Sequence, residues 1–192
     1  MFLTYFKWTF WIVFWAIVAA FLHYTLPQHD IVRIADTYEQ RIDPGGNSLF
    51  WTNAATGDRT DLPGRDVFFI QTIRPGGQPM VYRNEDTGWG WPPYFKFDTA
   101  NLQTKAADLA SSSDNPRWVA VRHYGWRWEL GSIFPNAVEI RPEGGPDSRI
   151  VNWFNIVVLT LLAGLVWAIW ARWRRFRERR IDPWLDDDPE AI

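Results

Sequence analysis

The chain has 192 residues, a formal net charge of −2, an aromatic content of 17% and no cysteine. Near-neutral charge speaks against a nucleic-acid partner, which needs a basic surface to face phosphates. Without cysteine there is neither a disulfide nor a zinc–thiolate centre, and no nucleophile elbow, phosphate loop or metal-ligand spacing calls for a cofactor.

Residues 1–26 hold the first predicted element. The run from Trp8 to Leu26 carries no charged residue, and a bilayer core of about 30 Å takes about 20 apolar residues of helix, so this is a transmembrane span. A signal peptide cleaved after Val18 to Ala20 is the rival reading. Lys7 is the only basic residue ahead of the run, and apolar residues continue past Ala20 through Phe21, Leu22 and Leu26, which suits an uncleaved anchor.

Residues 27–149 have room for one small domain with its own core. Val32, Ile34, Tyr38 and Ile42 fall on even positions with Arg33, Thr37, Glu39 and Arg41 opposite, the alternation of a half-buried strand over 30–42. Asp43 to Asn47 ends it, and the stretch to Arg65 reads as a long loop pinned by Leu49, Phe50 and Trp51. Strands at 67–73 and 80–83, joined through Arg74-Pro75-Gly76-Gly77-Gln78, make an antiparallel hairpin. Asp98 is the expected N-cap of a helix with Leu102, Ala106, Leu109 and Ala110 on one face. Trp118 to Tyr124 is a further strand; Gly125 bends the chain, and 126–130 and 138–141 read as more strand. The fold class is α+β, mainly β: two transmembrane helices flanking a small extracytoplasmic domain with one helix, compatible with an OB-like, partly open five-stranded barrel.

Between hairpin and helix lies the densest local signal, Asn84-Glu85-Asp86-Thr87-Gly88-Trp89-Gly90-Trp91-Pro92-Pro93-Tyr94-Phe95-Lys96-Phe97. Prolines favour an extended course, which sends Trp89, Trp91, Pro93, Phe95 and Phe97 one way and Gly90, Pro92, Tyr94, Lys96 and Asp98 the other. Either the odd face closes the open end of the barrel, or the segment is an aromatic platform for sugar rings, a peptide or the bilayer surface. Candidate ligand- or partner-binding residues are Trp89, Trp91, Tyr94, Glu85 and Asp86. As adjacent carboxylates, Glu85 and Asp86 point apart and suit turn capping and salt bridging better than paired acid–base work. His123, alone in its strand, reads as a satisfied core or rim residue.

Residues 150–171 form the second predicted span. Arg172, Arg174, Arg175 and Arg177 follow it directly, anchor it to anionic lipid and mark the cytoplasmic side. Two crossings then place both termini in the cytoplasm and residues 27–149 in the periplasm. Helix can run on through the arginines until Asp182-Pro183 stops it, leaving an acidic end within the 172–192 tail whose Trp184 and Leu185 could anchor a cytoplasmic partner.

Tyr82-Arg83-Asn84-Glu85-Asp86-Thr87, Pro92-Pro93-Tyr94-Phe95-Lys96-Phe97, Val119-Ala120-Val121-Arg122-His123-Tyr124-Gly125-Trp126-Arg127 and Phe134-Pro135-Asn136-Ala137-Val138 together resemble an uncharacterised family of alphaproteobacterial membrane proteins, a domain of unknown function. The resemblance spans most of the chain and implies a bacterial inner-membrane protein with a periplasmic domain; it brings no activity, substrate or catalytic residue. Three functions compete: an accessory or assembly protein holding a membrane-protein or periplasmic partner beside membrane lipid, a binding module for envelope glycan or lipid headgroups through Trp89 to Tyr94, and a periplasmic hydrolase using Glu85, Asp86 or His123.

Overall fold

The computed structural model describes residues 2–42 and 65–180; the loop with Leu49, Phe50 and Trp51 and the tail with Trp184 and Leu185 lie outside them. The elements are α1 (Phe2–Thr25), β1 (Gln28–Ile42), β2 (Arg65–Ile73), β3 (Pro79–Asn84), α2 (Thr99–Asp108), β4 (Trp118–Tyr124), β5 (Asn136–Pro142) and α3 (Trp153–Arg180). The chain divides into two units, Met1–Ile150 and Val151–Ile192.

In the first unit the strands close in the order β1-β2-β3-β5-β4. Every pairing is antiparallel except the parallel contact of β3 with β5, a single register pair between Arg83 and Asn136. That thin seam, and the helix between β3 and β4, are consistent with the expected OB-like arrangement. The interior follows the strand parity: Val32 and Ile34 from β1, Ile70 from β2, Met80 and Tyr82 from β3, Val119 and Val121 from β4, and Ile140 from β5 are all buried together. Asp98 caps α2 as expected, its side chain accepting from the Asn101 amide, and Leu102, Ala106 and Leu109 plug the barrel.

Two expectations are corrected. The alternation read as continuous through β1 is broken by a bulge between Ile34 and Asp36. One extra residue sends every later side chain to the opposite face, so Tyr38 leaves the main core and stacks on Phe69, 5.1 Å away, in a second cluster with Val67, Val81 and Phe134. Residues 126–130, expected as strand, make only an isolated bridge between Trp128 and Ile133. Gly125, at φ 91, turns the chain out of β4, and its amide donates to the Tyr24 carbonyl at 2.9 Å. Both sheet neighbours of β4 reach their last pairs at Gln28 and Asn136, so the segment beyond has nothing to pair with.

α1 and α3 are each long and apolar enough to cross a membrane, over Thr4–Thr25 and Trp153–Arg179. α3 starts three residues later than expected and continues through Arg172, Arg174, Arg175 and Arg177 as one helix.

Candidate interaction surface

Residues 85–97 fold back on themselves. The amides of Thr87 and Gly88 both donate to the Lys96 carbonyl at 3.1 Å, and the Lys96 amide returns a bond to the Thr87 hydroxyl at 3.1 Å. The predicted parity survives this folding, but the two faces exchange roles. Pro92 and Lys96 turn inward, while Trp89 and Trp91 are 83% and 63% exposed and Phe95 and Phe97 lie open beside them. The odd face therefore does not close the barrel. Closure needs donors for buried carbonyls, and the even face supplies them: Lys96 Nζ donates to the carbonyls of Ala137 at 2.8 Å and Glu85 at 3.2 Å and to Asn84 Oδ1, and Tyr94 Oη donates to the Thr25 carbonyl at 2.7 Å.

On the outer face Trp89 meets Phe95 and Phe97 edge-on, with centroids 5.4 and 5.8 Å apart. Phe95 holds φ 50, a conformation a bulky side chain keeps only where its surroundings over-determine it. The patch is rooted on α1: Trp91 stacks on Phe21 at 5.8 Å and 11°, while Tyr94 lies flat on Tyr124 at 4.8 Å. From the next loop, Trp126 meets Tyr24 edge-on at 5.3 Å and donates through Nε1 to His23 Nδ1 at 2.8 Å. Beside the patch a cleft of about 380 Å³ is lined by Phe95, Phe97, Asn101, Lys105, Arg122 and Glu139.

The remaining sequence candidates face elsewhere. Glu85 is buried against Arg83, its Oε2 3.2 Å from the guanidinium. Asp86 accepts from the Thr99 hydroxyl at 2.6 Å, which ties the loop to the start of α2. Tyr94 is committed to Thr25 and Tyr124, so the exposed rings are those of Trp89 and Trp91, joined by Phe95 and Phe97.

A second polar cluster is legible only in three dimensions. Asp30 Oδ2 accepts from Tyr82 Oη at 2.5 Å and Arg74 Nη2 at 2.8 Å, with His123 Nε2 at 3.4 Å. Its sequence signal is parity, since Asp30 shares the inward face of Val32 and Ile34. Burial pushes the Asp30 carboxyl up, but the contacts with His123, Tyr82 and Arg74 outweigh it and hold the group well below the usual carboxylate range; burial first, and then the same carboxylate, push the Tyr82 hydroxyl far up. A depressed carboxyl contributes stability that is complete above its ordinary pKa and fades as pH falls through its folded value. Asp30→Asn should therefore cost about 1–3 kcal/mol at pH 7, and the gap to the parent should narrow below about pH 4. Urea unfolding at pH 7 and pH 3 measures both; a gap that is the same at the two would mean the charge contributes nothing. Among the described residues no three His, Cys, Asp or Glu converge as a metal site.

Residues 3–177 match a family model described as a protein of unknown function, DUF1523. An uncharacterized protein of Haemophilus influenzae is 40% identical over 147 residues, covering 75% of this chain and 78% of that protein. No solved structure matches.

Proposed function

The chain belongs to the DUF1523 family of unknown function, and from that premise we propose that it is a two-span inner-membrane protein with a periplasmic barrel, acting as an accessory or assembly protein for a partner at the membrane. The observation that carries this reading is the root of the barrel on α1. Contacts join the last turns of the helix to two loops of the domain: Phe21 with Trp91 and Thr25 with Tyr94 in one, His23 and Tyr24 with Trp126 and Tyr24 with Gly125 in the other. A domain fixed to its anchor in this way presents its surfaces at a set height and orientation above the bilayer, which suits holding a partner in place. On the other side Arg172, Arg174, Arg175 and Arg177 bind anionic lipid at about 1 kcal/mol each, and Trp184 and Leu185 serve a cytoplasmic contact.

A second reading, a glycan or lipid-headgroup module, draws on the exposed Trp89 and Trp91 and on the cleft beside them, where aromatic faces adjoin polar side chains.

The test has two parts. A periplasm-only reporter should be active when inserted between residues 44 and 64 and silent when fused after Ile192; an active C-terminal fusion would sink the topology. Purification of the full chain in gentle detergent should bring down a partner in near-equal amount, and recovery of the protein alone would count against the accessory role.

A further inference from the structure

We propose that Trp89, Trp91, Phe95, Phe97 and Trp126 form a collar that seats the barrel on the lipid headgroup layer of the membrane entered by α1, so that the occupant of the exposed aromatic face is the bilayer itself. The inference rests on the reading of α1 as a span and adds to it a second, peripheral contact.

Continuity carries the argument. The apolar surface of α1 is exposed along its length, and Trp91 extends it without a break because its indole lies face-on against Phe21. Whatever medium solvates Phe21 must also wet Trp91. Height agrees. The apolar stretch Thr4–Thr25 has 22 residues, which at 1.5 Å each is about 33 Å against a hydrocarbon core of about 30 Å. His23, Tyr24 and Thr25 then fall at the headgroup level, and Trp126 and Tyr94 are the groups bonded to them. Indole rings favour that layer because an apolar body and an N–H donor are satisfied there together.

The residues also face the right way. β4 runs from Trp118 to Tyr124 and ends against α1 through the Gly125 amide, so its start is the end of the barrel far from the helix. The five collar aromatics belong to the two loops at the near end. Three of them, Trp89, Phe95 and Phe97, make one exposed cluster and Trp91 is exposed beside Phe21, an exposure that would otherwise be costly for a monomer in water. A soluble partner could cover the same patch, but it would have to share the face with the lipid around Phe21.

Because the chain has no cysteine, single labels can be placed at will. Full-length Trp89→Cys, Phe97→Cys, Ser113→Cys and Phe14→Cys would each carry a bimane label in vesicles of phosphatidylethanolamine and phosphatidylglycerol doped with nitroxide-labelled lipid. Position 14 reports the span, and position 113 reports the far end of the barrel. Emission from 89 and 97 should fall about twofold, as for side chains about 5–10 Å into the interface, with 14 quenched and 113 unchanged. If 14 is quenched while 89 and 97 behave like 113, the collar is wrong and the anchor stands; if 14 also escapes, both readings fall. Labels at 89 and 97 that ignore nitroxide lipid but are shielded from iodide by soluble peptidoglycan fragments would assign the face to sugar instead.

Discussion

Replacing Asn136 by alanine should destabilise the barrel by about 3–5 kcal/mol, enough to lower its thermal midpoint by about 10 °C or more. Asn136 opens β5 and is fully buried. It stands at the one place where β3 meets β5, opposite Arg83. There the backbone ladder is short, with the Arg83 amide donating to the Pro135 carbonyl at 3.0 Å. The Asn136 side chain continues it. Its Oδ1 accepts from the Glu85 amide at 2.9 Å, and its Nδ2 donates to the Glu85 carbonyl at 3.0 Å and meets Tyr124 Oη at 3.1 Å. A primary amide thus pairs with a backbone residue as another backbone residue would, and lengthens the seam by one step. Alanine orphans a buried amide and a hydroxyl at once, and removes one of two donors from the Glu85 carbonyl. Asn136→Asp should also destabilise, because an acceptor would then face the Glu85 carbonyl. Urea unfolding followed by tryptophan emission gives the number, and a loss under about 1 kcal/mol would show that the barrel closes without this side chain.

Between pH 7 and pH 9 the protein should gain about 2 kcal/mol of stability, and Lys96→Met should abolish the gain. Burial, the largest influence, pushes the Lys96 ammonium down from its ordinary 10.5 to about 7, against the upward pull of the Asp86 and Glu85 carboxylates. A folded pKa below the unfolded one means that the unfolded chain holds more protons between the two values, so raising pH through this window favours the folded state. Above about pH 10 the sign reverses, because burial pushes the hydroxyls of Tyr82, Tyr94 and Tyr124 up while unfolded tyrosines ionise. Methionine removes the titrating group and leaves three acceptors short of a donor, so the variant is weaker throughout. The slope with pH is therefore the readout, and a parent protein whose stability is flat from pH 7 to 9 would refute the assignment.

Local signals and their limits can be separated residue by residue. The β2–β3 hairpin, the Asp98 cap with its Leu102, Ala106 and Leu109 face, and β4 were all legible because each depends on neighbours within a few positions: a turn of Pro and Gly, a side chain reaching an amide three residues on, an alternation of period two. The bulge in β1 was not, since nothing between Ile34 and Asp36 marks it; it lies in the pairing with β2, just past Arg33, where the pairing with β4 ends. The candidate surface divides in the same way. The parity of residues 89–97 comes from chain stereochemistry and names Trp89 and Trp91, but which parity faces water depends on where Lys96 and Tyr94 find carbonyls.

By itself, then, the sequence determined the two long apolar helices, the order of strands and helix between them, the arginines at the end of the second and the split of the aromatic segment into two faces. Each is a matter of composition or short-range periodicity. Tertiary structure alone decided that the aromatic face lies outside and against the end of α1, that Glu85 turns in to Arg83, and that Tyr82, His123 and the partly exposed Arg74 meet around the Asp30 carboxylate. Apart from the Glu85–Arg83 pair, those contacts join residues tens of positions apart, and a buried polar group accepts whichever partner the closed sheet brings to it, because leaving it unpaired costs more than any local preference can return.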